Sequence, residues 1–222
     1  MRRKLICLAS LVAVAMPSMA GAQATTRQCS PTEEVGPACL LGKKELPSPL
    51  ADSVFWHIDS FASKADAERF SAKTSTIVEA FGSTWLFTLA PKKWRSSGGK
   101  HIANIGPLPV QPARAYTAEY LRSVFAPGMA APLHVHSGPE AFFAVSGDTC
   151  LETPDGLQLA RGPSNSLLIR GGPPMLLMAI GKVNRQGFAL ILHDASQPAT
   201  TLIHDWHPSG LCERQFAAEK TQ

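Results

Sequence analysis

This sequence predicts an antiparallel all-β barrel or sandwich. Three observations predict it. From Tyr116 onward the chain is a series of short apolar, β-prone runs punctuated by Gly and Pro: "YTAEYLRSVF", "EAFFAVSG", "TCLET", "LQLA", "NSLLIR", "MLLMAIG" and "FALILHD". No long helix is expected after Lys73, and no alternation of strand and helix that would build a parallel sheet. At 153–156, "TPDG" supplies Pro and Asp for the centre of a turn and Gly for the position that tolerates positive φ, so "TCLE" and "LQLA" are expected to form a hairpin.

The elements follow in order. Residues 1–24 carry Arg2, Arg3 and Lys4, an apolar run from Leu5 to Met16, and "AQA" ending at Ala24. That is the pattern of a cleaved secretory signal, with Ala20 as a rival cleavage point. The apolar run of 12 residues is short of the roughly 20 that cross a bilayer. An exported protein, periplasmic or secreted after cleavage near Ala24, is therefore expected, with no stable membrane insertion. Residues 25–53, rich in Pro, Gly and small residues, read as an irregular arm. Residues 54–113 read as an N-terminal extension packing on the barrel: a strand at "FWHIDSF", a short helix at "SKADAERFSAK" capped by Ser63 with Asp66, and strands at "TIVEAFG" and "TWLFTLA" around Gly82. A further strand, "HIANIGPLPV", is expected to be cut at Gly106 and Pro107. Residues 114–195 form the barrel and 196–222 a tail, with "IHDWHPSG" read as loop.

Loss of Arg2, Arg3 and Lys4 with the signal reduces the 21 basic residues to 18 against 17 acidic ones, a net charge of +1. Nothing there steers nucleic acid. Four cysteines remain, Cys29, Cys39, Cys150 and Cys212, an even number suited to disulfides in an exported chain. Of the three pairings they allow, the Pro/Gly-rich loop "CSPTEEVGPAC" favours Cys29–Cys39, which leaves Cys150–Cys212 to pin the C-terminus to the barrel.

The chemistry is concentrated in "GMAAPLHVHSGPEAFFAVSG", residues 128–147. His134 and His136 are two apart, so on a strand both face one way. "SGP" then turns the chain, and Glu140 is expected to open the next strand beside the first. Two imidazoles and a carboxylate converging in this way suit a transition metal ion.

Gly128, His134, His136, Glu140 and Gly147 stand at the spacing of the first motif of the cupin superfamily, and the wider sequence resembles exported bacterial single-cupin proteins. The resemblance implies a double-stranded β-helix, or jelly-roll, barrel with His134, His136 and Glu140 as ligands of one divalent metal: Mn, Fe, Zn, Ni or Cu. The chain departs from the family's second motif. Gly162 fits its first glycine, but the place of the usual histidine falls on Pro174, leaving two His and one Glu or a degenerate, metal-free site. Met175 beside it is read as core.

Other polar residues are secondary candidates. His193 either replaces the missing ligand or caps its strand near the surface. Arg170, beside the missing-ligand corner, can pair with a substrate carboxylate, though a solvent-facing role is the plainer reading. Tyr116, Tyr120, Phe142 and Phe143 lie on barrel strands, and two of the four are expected to face a ligand pocket. His204, Asp205 and His207 in the tail are a remote alternative cluster. The function expected is that of a metal-dependent enzyme acting on a small organic molecule, with a sugar- or organic-acid-binding barrel and a structural scaffold as alternatives. A homodimer is also expected.

Overall fold

The computed structural model of the protein describes residues 26–30, 35–48, 50, 53–111 and 114–221; the expected signal segment lies outside them. The described residues are built mainly from antiparallel strands, in three layers, with two helices.

The central layer is a five-stranded sheet in the order β1 (Gly36–Glu45), β6 (Tyr116–Phe125), β13 (Arg185–Asp194), β8 (Glu140–Ser146) and β11 (Ser166–Ile169). Its strands have buried material on both faces, so β6 is buried along its whole length instead of alternating. One face packs on a four-stranded N-terminal sheet in the order β3 (Ser75–Ala80), β4 (Ser83–Ala90), β2 (Val54–Phe61) and β5 (Lys100–Leu108). Trp56, Ile58 and Phe87 of that sheet meet Tyr120, Phe143 and Phe188 of the central one.

The other face closes the barrel against β10 (Gly156–Ala160), β9 (Asp148–Thr153) and β12 (Leu176–Ile180). Isolated bridges Ala130–Met178 and His134–Met175 extend this wall to β7 (His134–Val135), which pairs with β14 (Thr201–Leu202). Leu121, Phe142 and Ile191 from the central sheet pack there on Leu151 and Leu177. The expected jelly-roll class is present.

Local signals explain several elements. The helix α1 (Lys64–Arg69) starts at Ser63, whose Oγ accepts from the Asp66 backbone N–H at 3.1 Å and donates to the Asp66 carboxylate at 2.7 Å. Phe81 and Gly82, both at positive φ, form a two-residue turn between the paired ends Ala80 and Ser83. The hairpin at "TPDG" pairs Gly156 with Thr153. Both disulfides are formed as expected: Cys29–Cys39, and Cys150–Cys212 with Cα atoms 5.7 Å apart.

Four expectations need correction. The supposedly irregular arm contributes β1, a full edge strand of the barrel; register shifts at Gly36/Cys39 and Leu40/Gly42 accommodate its Pro and Gly. Strand β5 is not cut at Gly106 and Pro107 but continues to Leu108 with a register shift against β2. The "IHDWHPSG" stretch is loop as read, but against the expectation of no long helix after Lys73 the tail continues into the ten-residue α2 (Leu211–Lys220), on the outer side of the barrel with Cys212 joined to Cys150 beneath it. Finally, β7 is not paired to β8, because β8 lies between β13 and β11.

Candidate metal centre

The separation of β7 from β8 raises the question of how Glu140 still meets the histidines. The turn 137–139 is the answer. It is fixed to the end of β13, where Leu192 N–H donates to Pro139 O at 2.9 Å and Asp194 N–H to Ser137 Oγ at 3.2 Å. Gly138 passes so close to this strand that a Cβ would lie 2.0 Å from Leu192 O. Only glycine permits that approach. Glu140 starts β8 opposite Ile191 of the same strand. His134 and His136 precede the turn and Glu140 follows it, so all three are delivered to one point between the two barrel walls.

Their candidate ligand atoms all lie within 4.8 Å of one another, the one such grouping of three or more His, Cys, Asp or Glu among the described residues. The two rings are 4.7 Å apart at 74°. His134 Nδ1 lies 2.6 Å from Pro132 O, and His136 Nδ1 lies 2.6 Å from Ala199 O. A carbonyl only accepts, so each Nδ1 carries the proton, and in the neutral ring each Nε2 offers its lone pair. This carbonyl-held tautomer is the arrangement that orients a metal-binding histidine.

His136 Nε2 and Glu140 Oε2 are buried and 3.0 Å apart, yet the angles are not those of a hydrogen bond, and neither atom has another partner among the described residues. Such orphaned buried atoms are costly unless something else satisfies them. A cation between them fits, and the two-imidazole, one-carboxylate donor set fits a divalent transition metal. Burial, then the neighbouring His136, holds His134 below the ordinary histidine range. Burial also pushes His136 down, but the facing Glu140 carboxylate and the Ala199 carbonyl outweigh it and leave His136 above that range. Proton and metal thus compete for the same Nε2.

The three residues open on a cavity of about 320 Å³ whose walls include Leu121, Phe125, Phe142, Leu177 and Ile191. Its size and largely apolar lining suit a small organic molecule. Arg185 also lines it. Burial lowers this guanidinium to about 10, so it stays charged at neutral pH. Sequence reading passed over Arg185, because "KVNRQG" looks like an exposed turn between strands.

Of the other anticipated contacts, Phe142 lines the cavity, while Tyr116, Tyr120 and Phe143 face the N-terminal sheet instead. Period-two alternation along β6 sends the even-numbered tyrosines away from the face that carries Leu121 and Phe125. Arg170 is on the surface, paired with Asp155 at 3.0 Å. His193 is neither the fourth member of the group nor near the surface: it is buried, with Nδ1 held by Asp194 O and Gln197 O and Nε2 3.8 Å from Glu119 Oε1. Met175 is in the core, as read. His204, Asp205 and His207 do not join the group.

No family model and no curated protein matches the sequence. Solved structures resemble parts of it. An oxalate oxidase in complex with the substrate analogue glycolate is 18% identical over 39% of this chain, with a TM-score of 0.33, and the match spans only 46% of that enzyme. A cupin superfamily protein from Desulfitobacterium hafniense is 15% identical over 39% of this chain and 74% of its own, with a TM-score of 0.32. A cupin domain from Bordetella pertussis is 17% identical over 38% of this chain and 88% of its own, with a TM-score of 0.30. The described strands form an antiparallel jelly roll, and it carries the glycine, histidine and glutamate spacing of 128–147 that resembles the first cupin motif.

Proposed function

We propose that this protein is an exported, metal-dependent enzyme acting on a small organic molecule inside the barrel. The observation that carries the proposal is the pair of orphaned atoms, His136 Nε2 and Glu140 Oε2, set beside the oriented His134 at the edge of an apolar cavity. His134, His136 and Glu140 would hold the ion, which supplies Lewis acidity at positions that three protein ligands leave open. The chain's own groups do the rest. The carbonyls of Pro132 and Ala199 fix the imidazoles, and the walls from Leu121, Phe142 and Leu177 exclude water around a bound molecule. Two disulfides, one of them tying the C-terminal helix to the barrel, are compatible with an oxidising compartment.

Thermal denaturation of chelator-treated protein tests this reading. Manganese, iron, nickel, copper or zinc should raise its melting temperature, because a ligand bound only by the native state stabilises it. The His136→Ala protein should show no such rise; equal responses from both proteins would refute the site.

A second reading, a binding barrel without catalysis, is favoured by one observation. Pro174 occupies the place where the resembling family supplies a further histidine, and His193 does not replace it.

A further inference from the structure

We propose that Arg185 is the anion anchor of the cavity, and that the molecule bound there is a small organic acid whose carboxylate pairs with its guanidinium. The inference builds on the small-molecule site described above and specifies its ligand class.

Arg185 is 1% exposed, the first residue of β13. Its Nε donates to Thr149 Oγ1 at 3.1 Å, and Nη1 donates to Ser123 Oγ. These hydroxyls belong to β9 and β6, on opposite walls, so the guanidinium is held across the barrel. Nη2 has no partner. Among the described residues no carboxylate lies within ion-pair distance of it; Glu140 acts on it only through space.

A buried cation with two neutral acceptors and an idle donor is expensive to keep. A purely structural bridge between Ser123 and Thr149 does not need a charge. Gly187 is the next residue on the same face, and a Cβ there would lie 2.6 Å from Phe143 O of the neighbouring strand and 2.8 Å from Nη2, so the guanidinium packs directly on the strand backbone. Arg185, Ala189 and Ile191 of this strand all line the cavity.

Charge balance points the same way. A divalent ion on His134, His136 and Glu140 more than neutralises the only carboxylate of the group. With Arg185 the cavity is then net positive and calls for an anion. The planar fork of arginine matches a carboxylate. The apolar walls favour an organic acid over a fully hydrated inorganic anion.

The test uses benzoate, its uncharged counterpart benzamide, and inorganic phosphate, titrated by calorimetry into metal-loaded and chelator-treated protein. Benzoate should bind at least about tenfold more tightly than benzamide or phosphate. Arg185→Met, which keeps the volume and removes the charge, should abolish that preference while retaining bound metal. Arg185→Lys, a milder change, should weaken benzoate binding by about tenfold, since ammonium lacks the fork. Equal binding of benzoate and benzamide by wild type overturns the inference whether or not either variant folds. So does undiminished benzoate binding by Arg185→Met, or phosphate binding as tight as benzoate. If no metal is retained but benzoate still binds through Arg185, the metal reading fails and the anion anchor stands.

Discussion

His136 Nε2 sits 3.0 Å from Glu140 Oε2, both buried, and neither makes a hydrogen bond to the other or to any other described residue. The Nδ1 proton of His136 is already committed to Ala199 O, so the imidazole faces Glu140 with its lone-pair side unless Nε2 is protonated. Two electron-rich atoms buried side by side are balanced by a cation, and a proton or a metal ion can serve.

Glu140→Gln should therefore leave the fold intact and weaken divalent-metal binding by about tenfold or more, since the amide carries no charge. Competition with a fluorescent chelator measures it. Unchanged affinity would show that the carboxylate is not a ligand.

The Cys150–Cys212 bridge closes a separation of 62 residues and secures α2, whose only buried residue is Cys212. Replacing both cysteines with serine should cost about 4 kcal/mol of stability, against about 3 for the shorter Cys29–Cys39 loop. Denaturant unfolding compares the two; a smaller loss at Cys150–Cys212 would contradict the ordering.

His57 is fully buried in the N-terminal sheet, and burial holds it below the ordinary histidine value of 6.5. Below about 6.5 the unfolded chain takes a proton that the folded one refuses, so this residue removes stability as pH falls from there toward its lowered folded value. His57→Gln should lose less stability than wild type between pH 7 and pH 5 by denaturant melts. A wild-type pH profile identical to the variant's would count against this.

How much of this was legible in the sequence depended on whether a local rule governed the residue. His134, His136 and Glu140 were legible because their spacing is short-range, although the route is a turn docked on β13 and not a paired hairpin. The Ser63 cap and the "TPDG" turn were legible for the same reason. Strand β1 was hidden because "GPACLLGKKE" carries breakers that two register shifts absorb. Helix α2 was hidden because it begins after Gly210 with no side-chain cap and is anchored by a distant cysteine. The two arginines show the limit best. Arg170, singled out for its place in a motif, pairs with Asp155 at the surface. Arg185, in a stretch that reads as a solvated turn, is buried because Gly187, Ser123 and Thr149 make room and partners for it across the barrel.

The proposed export, with cleavage near Ala24, predicts that protein recovered from its native compartment begins at Thr25. N-terminal sequencing checks it. An uncleaved Met1 start would contradict export by this signal.

The central claim is that His134, His136 and Glu140 hold one metal ion. Elemental analysis of untagged protein, beside the His134→Ala, His136→Ala double variant, tests it most directly. About one equivalent of a divalent transition metal is expected in the wild type and none in the variant. A folded wild-type protein that retains less than about a tenth of an equivalent after supplementation would contradict it.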